Sequence, residues 1–394
     1  MKRCGLVLAL ALAGCASVGG TRAATEAELI GAPLTLESAA ALKQAGARIL
    51  FWSPEERSAN FRAMERQFPG HRVAAGDSPR PLPQGAQLPV GEGEIEAYMD
   101  ANGVSGLIVL QDGKLRLERY ASGFGPEGRW TSFSVAKSFS STLVGAAVKD
   151  DFIRSVDDPV TRYIPELAGS GYDGVTVAQL LTMTSGVRWN EDYTDPASDV
   201  ARMYAAPVPA GVDPTVAYMR TLPRADAPGS KWVYKTGETN LIGVLVTRAT
   251  GRSLAAYLSE KVWRPAGMEQ DAFWMIDGTP QDLGGCCMSV ALRDYARMGQ
   301  LVLTGGQGIV PDDWFAQATA ARAQTGRPGF GYGYQWWTYP HGRYGAQGIF
   351  GQAITIDPAK RVVVVQTANW PQATSSALGA ARLAFFDRLI AAAD

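Results

Sequence analysis

The chain has 394 residues, 46% of them hydrophobic, enough to bury a large core or two lobes. A formal charge of −1 with 19% charged residues excludes the basic field of a nucleic-acid binder. No apolar run is long enough for a spanning helix and no Cys or His spacing suits a metal, so no metal or cofactor is expected.

Residues 1–14 read as a signal peptide, because Lys2 and Arg3 precede an apolar run from Gly5 to Ala13. Leu12-Ala13-Gly14-Cys15 resembles a bacterial lipobox, which implies cleavage before Cys15 and lipid on its thiol. The alternative is an ordinary signal peptide whose end contains a cysteine. Acyl chains on Cys15 would anchor the chain to a membrane, each buried methylene contributing about 0.8 kcal/mol. The expected place is the bacterial cell envelope, facing the periplasm. By resemblance, Ala16 after the cysteine implies the outer membrane. Cleavage deletes Cys4 and lipidation uses Cys15, leaving adjacent Cys286 and Cys287. A vicinal disulfide is strained and rare, so these are expected to be two small buried thiols.

Residues 15–90 read as a lipid-anchored tether and N-terminal arm, rich in Ala, Gly and Pro. Within it, Ile49–Trp52 predicts a short strand running into a helix capped by Ser53, with Pro54 at the first helical position. Phe61, Met64 and Phe68 follow at helical spacing, so the arm is expected to pack on the body. The body, 91–394, opens with apolar runs Val104–Leu110 and Lys114–Tyr120 joined across Asp112-Gly113, a hairpin signal. The segment after Ser134 is apolar most of the way round, which predicts a buried helix. Further helices are predicted at Val177–Met183, Asn240–Ala249, Ser253–Val262 and Ser289–Leu303, with strands at Tyr332–Trp337, Gln352–Ile356 and Arg361–Thr367. Strands thus cluster at both ends and helices fill the middle. The expected fold is α+β: one antiparallel sheet formed from both chain ends and flanked by helices, with an inserted mostly helical lobe at roughly 150–285 and a cleft between.

Ser134 and Lys137 stand three residues apart, so on a helix they share a face. A serine hydroxyl is a poor nucleophile until something accepts its proton, and a lysine accepts it only when neutral. Burial at the start of an apolar helix could depress Lys137 in this way. The two histidines offer no rival base: His71 lies in the arm, and His341 in a Pro340-His341-Gly342 turn. Free N–H groups at the helix start would help an oxyanion near Ser134.

The surrounding motifs resemble the class C β-lactamase-like serine hydrolases. They are Ser134–Lys137, the run Val175–Gly186, Trp232-Val233-Tyr234 leading to Asn240, Ser289–Arg297 and Tyr332–Trp337. Leu50–Ser53 and Asn190-Glu191-Asp192-Tyr193 favour the branch of nylon-oligomer (6-aminohexanoate-dimer) hydrolases. The resemblance implies a β-lactamase/transpeptidase-like fold. It makes Tyr234 the tyrosine that takes the Ser134 proton and returns it to the leaving group, with Lys137 as the neighbouring charge; a core tyrosine is the alternative. It also implies an oxyanion hole from the backbone N–H groups of Ser134 and Ile349. Tyr193 would reach the scissile amide, and Trp189 would line an acyl pocket with it; plain loop packing is the alternative.

Lys235-Thr236-Gly237 and Ser198-Asp199-Val200 imitate further motifs of penicillin-binding enzymes, but Val200 replaces an Asn and Lys235-Thr236-Gly237 runs into a helix. The third motif is expected instead at Tyr344–Gly348, where Gln347 and Gly348 would face the substrate and Ala346 leaves out the usual cation. Trp336 and Trp337 are expected to alternate across a strand, one packed inward and one near the cleft, with core as the reading kept for both. The expected activity is hydrolysis of small esters or amides through an acyl-enzyme, with linear amides such as 6-aminohexanoate dimer in view. A D-alanyl-D-alanine carboxypeptidase or weak β-lactamase is the alternative, and a non-catalytic acylated sensor or scaffold a third.

Overall fold

The computed structural model of the protein describes residues 27–33, 45–46, 48–205 and 211–393. Cys15 and the signal region lie outside the described residues. The arm enters through a 3-10 turn at Ile49–Phe51, not a strand. Ile49 and Trp52 are buried while Phe51 is exposed, a helical spacing that a short apolar run hides. Helix α1 (Pro54–Asn60) follows with the capping box of Ser53 and Glu56. It stops at Asn60, and Phe61, Met64 and Phe68 are buried on the turns beyond it.

Helix α2 (Glu92–Ala101) precedes strands β1 (Val104–Gln111) and β2 (Lys114–Tyr120). Their turn places Asp112 and Gly113 at φ 49° and 72°, the left-handed pair a two-residue hairpin demands. The mostly helical middle contains α3 (Ala136–Lys149), then α4 (Thr236–Thr250), and ends before α5 (Leu292–Leu303). The chain returns to the sheet as β3 (Tyr344–Gly348), β4 (Gln352–Asp357) and β5 (Val362–Ala368), and closes with α6 (Ser376–Ala391).

The main sheet is antiparallel in the order β2-β1-β5-β4-β3, extended by Trp337–Thr338, Gly331–Tyr332 and Ala323–Gln324. Alternation decides its two faces. Leu107, Val109, Val362 and Val364 join Phe386 and Leu389 of α6, whereas Ile108, Leu110, Val363 and Val365 join Met298 and Leu301 of α5. The α+β expectation stands, with two changes. Tyr332–Trp337 is a tight connection between two-residue strands rather than one strand. A second, five-stranded sheet also exists, in the order Leu29–Gly31, Pro69–Val73, Ala272–Met275, Met288–Val290, Trp130–Thr131. Ser289 and Val290 therefore belong to a strand and not to α5. Strands of two to five residues are too short to show a period.

Candidate active site

Ser134 sits on a 3-10 turn, Phe133–Val135, that feeds directly into α3. Phe133, just before it, is held at φ 42°, and Phe350, just after Ile349, at φ 59°. Such left-handed aromatic residues persist only where packing over-determines them. Phe61 of the arm supplies that packing, its ring 4.9 Å from Phe133 and 5.4 Å from Phe350. Arg57 lies 5.0 Å over the Phe350 ring and donates to Trp52 O and Asn369 Oδ1, both at 2.8 Å. The arm thus braces both backbone segments beside Ser134.

Strand β3 approaches this turn closely because Gly348 lacks a side chain. A Cβ there would lie 2.5 Å from the Ser132 carbonyl and 3.1 Å from the Ser134 nitrogen. Ser134, Gln347, Gly348 and Ile349 consequently line one cleft.

Lys137 is 1% exposed, and its Nζ lies 3.0 Å from Ser134 Oγ, 3.1 Å from Thr236 Oγ1 and 2.7 Å from Gly285 O. Burial brings its pKa down to about 7, against the upward pull of the Glu191 carboxylate. A neutral amine fits this cage: two N–H bonds go to Gly285 O and Thr236 Oγ1, and the lone pair faces the Ser134 hydroxyl. Tyr234 also lines the cleft, with its ring 5.2 Å from Lys137 Nζ and stacked 5.7 Å from Trp337. Burial, then the Glu191 charge, pushes its phenol above the ordinary range, while a hydrogen bond with Ser134 pulls it down. Burial thus acts in opposite senses on the two groups, lowering the Lys137 amine and raising the Tyr234 phenol.

Glu191 organises the floor of the site. It accepts from Thr236 N at 2.9 Å and Tyr193 Oη at 2.8 Å, and also from Thr236 Oγ1 and Trp189 Nε1. Tyr193 keeps its ring in the cleft but turns its hydroxyl onto Glu191. Trp189 is buried behind, beneath Gly237, and lines neither cavity at Ser134, so its expected place in an acyl pocket is corrected. The anchoring of its indole on Glu191 is the reason.

In the motif imitators, Lys235 and Asp199 are engaged by neighbouring side chains and backbone, whereas Thr236 faces Lys137. Lys235 is fully buried, 3.5 Å from Glu238 and 3.4 Å from the Met183 carbonyl. Asp199 accepts from Asn190 N and Tyr218 Oη, both at 2.7 Å. His71 is buried with Nδ1 2.8 Å from Asp282 Oδ1, and it does not line the cleft.

Of the two adjacent tryptophans, Trp336 packs inward and Trp337 lines the cleft, the alternation expected beside the core reading. Cys286 and Cys287 form a disulfide and line a second cavity at Ser134, correcting the expectation of two thiols. The positive φ of 69° at Cys287 accommodates the bonded pair on a turn between strands. Arg382 brings a cation to the cleft: only 6% exposed, it lines the cleft, and its Nη2 donates to Gln347 Oε1 at 2.6 Å. A signal for it exists, because Arg382 shares the buried stripe of Phe385, Phe386 and Leu389 on α6. Among the described residues, no group of His, Cys, Asp or Glu could hold a metal ion.

The sheet, the inserted lobe and the Ser134–Lys137–Tyr234 cleft define a serine-hydrolase scaffold. The Beta-lactamase family model matches residues 92–387, and the chain belongs to that family of serine hydrolases. It is 31% identical over 298 residues to a 6-aminohexanoate-dimer hydrolase of Paenarthrobacter ureafaciens, an alignment that covers 71% of this chain and 76% of the relative. A lovastatin esterase of Penicillium rubens is 23% identical over 43% of this chain and 46% of its own. Among solved structures, a Bacillus anthracis protein given provisionally as a 6-aminohexanoate-dimer hydrolase superposes with TM-score 0.74 at 23% identity, over 84% of this chain and 93% of its own. A class C β-lactamase of Rhodobacter sphaeroides gives 0.58 at 19%, over 75% and 97%.

Proposed function

We propose that the protein hydrolyses small esters or amides through a covalent acyl-enzyme on Ser134. The observation that carries this is the buried Lys137 Nζ at 3.0 Å from Ser134 Oγ, where burial lowers the amine's pKa to about 7. Lys137 accepts the Ser134 proton as Oγ attacks the carbonyl carbon. The N–H groups of Ser134 and Ile349 stabilise the oxyanion, and the neutral Tyr234 phenol donates a proton to the leaving group. Lys137 reprotonates Tyr234, and a water activated by the same pair then cleaves the acyl-enzyme. A linear amide such as 6-aminohexanoate dimer, the substrate in the relative's name, is one amide to test. Ser134→Ala is expected to abolish p-nitrophenyl butyrate turnover and acyl labelling while circular dichroism stays unchanged; full activity in that variant would refute the assignment.

Arg382 favours a second reading, a D-alanyl-D-alanine carboxypeptidase or weak β-lactamase, because those substrates carry a carboxylate. Rapid nitrocefin hydrolysis would select it. Cys15 supports placement in the cell envelope through a lipid anchor, which the intact mass of protein from a membrane fraction would test.

A further inference from the structure

One short stretch of chain holds both Lys137 and the backbone just before Ser134. Gly285 O accepts from Lys137 Nζ at 2.7 Å, while Gly285 N donates to Asn240 Oδ1 at 2.8 Å. Met288, beyond the cysteines, exchanges bonds with Ser132: its nitrogen donates to Ser132 Oγ at 3.0 Å, and its carbonyl accepts from Ser132 N at 2.6 Å. The link between these two anchors is Cys286 and Cys287 alone, and a disulfide joins them. A bond between neighbours closes a small ring around their shared peptide, so the link has little freedom. Cys287 is held at φ 69°, a left-handed conformation that costs a residue with a Cβ about 1–2 kcal/mol. Both cysteines line the cavity of about 70 Å³ beside Ser134. Cys287 is buried and Cys286 partly exposed, so a reagent meets Cys286 first.

We propose that Cys286–Cys287 is a reversible redox modification site for small dithiols, and that its disulfide state is the active state of the Ser134 centre. This rests on the Ser134 acyl-enzyme reading and adds a control to it. A thiolate of the reductant attacks Cys286 Sγ, the S–S bond breaks, and Cys287 leaves as a thiolate that takes a proton. The second thiolate of the reductant displaces Cys286 from the mixed disulfide, and Cys286 takes a second proton. The protein thus gains two electrons and two protons, and the dithiol becomes a disulfide. With the bond gone, the sulfurs part to van der Waals contact and nothing covalent holds Cys287 left-handed. Met275 N, donating to Cys287 O at 3.1 Å, and Ser132 keep the Cys287–Met288 side in place. Gly284 and Gly285 have no side chains and belong to no strand, so the relaxation falls on them and withdraws the Gly285 carbonyl from Lys137. Losing that acceptor unseats the amine from Ser134 Oγ. A carbonyl also favours ammonium over amine, so its loss lowers the Lys137 pKa further. The other ionisable neighbours of Lys137, Glu191 and Tyr234, are the same in both states. Cytosolic reductants would hold the dithiol, and an oxidising compartment the disulfide.

The test reduces the full chain over a graded range of dithiothreitol, removes the reductant under nitrogen, and measures kcat/KM for p-nitrophenyl butyrate. The peptide carrying Cys286 and Cys287 is alkylated and weighed to count its thiols. Reduction of the pair is expected to lower kcat/KM by about 10–100-fold, the scale of an ångström's misplacement of a catalytic group, and to move the midpoint of the pH profile downward. Reoxidation with oxidised dithiothreitol is expected to restore both. Cys287→Gly, which takes φ 69° without a bond, is expected to keep more activity than Cys287→Ala, and neither variant to respond to reductant. A reduced pair with unchanged kcat/KM overturns the proposal, and so does a pair that stays oxidised throughout the range. A loss of rate that follows unfolding by circular dichroism also overturns it, since the disulfide is then a structural clamp. The redox comparison needs only the unmodified protein, so a variant that fails to fold does not blunt it. Ester turnover indifferent to the state of the pair sinks this inference alone; no acylation of Ser134 in either state sinks the acyl-enzyme reading itself.

Discussion

Two lysines of this chain are removed from water to the same degree, yet their surroundings differ. Lys137 is caged by two hydroxyls and a carbonyl, with the Glu191 carboxylate one residue removed behind Thr236. Lys235 has the Glu238 carboxylate itself at 3.5 Å. Desolvation penalises an ammonium wherever it is buried, and a direct counter-ion offsets the penalty. At equal burial, then, one lysine faces neutral groups and the other a carboxylate. The comparison also separates two tripeptide-scale motifs that look equally persuasive on paper.

The comparison can be broken most decisively at Lys137. Lys137→Met is expected to lower kcat/KM for p-nitrophenyl butyrate by about 10²–10⁴-fold, with thermal stability equal or higher, because the side chain acts as a proton acceptor. Lys235→Met should do the opposite. It leaves the Glu238 carboxyl buried without its partner and is expected to cost about 3–5 kcal/mol in urea unfolding, with turnover per folded molecule within a few-fold of normal. Loss of activity at unchanged stability in that variant would erase the distinction drawn between the two.

The pH dependence sharpens the contrast. In the proposed mechanism the amine is the active form of Lys137, and burial lowers its pKa to about 7, so kcat/KM should rise with pH through about 7 and then level off. A rate that falls across that range would mean the ammonium is the working form. The smallest effect concerns Glu191, whose charge holds the Lys137 pKa up. Glu191→Gln is expected to move the midpoint of the profile downward by about one pH unit. A midpoint that stays or moves up would show that Glu191 acts only through its hydrogen bonds.

Much of this site was legible along the chain. Ser134 and Lys137 share a helix face whatever the tertiary fold, and the Asp112-Gly113 hairpin and the β4–β5 pair follow from alternation and turn chemistry. Glu191 stood within a stretch already singled out beside Tyr193, but a lone carboxylate shows nothing of the four donors that converge on it from Trp189, Tyr193 and Thr236. Arg382 is 35 residues beyond Gln347, and only the packing of α6 on the sheet brings the two together. Alternation also placed one of Trp336 and Trp337 near the cleft, although Tyr332–Trp337 turns back on itself rather than forming one strand.

What the sequence determined by itself was local: that Ser134 and Lys137 stand together at the start of a buried helix, which hairpins form, and which family the motifs resemble. Those depend on spacing and on steric rules that act over a few residues. The tertiary structure decided which groups face one another at Ser134, and hence which of them is basic. It set Lys137 among neutral acceptors, Lys235 beside Glu238, and Arg382 beside Gln347 without a carboxylate. A pKa or a binding preference is a property of an environment, and these environments are assembled from segments separated by tens to hundreds of residues.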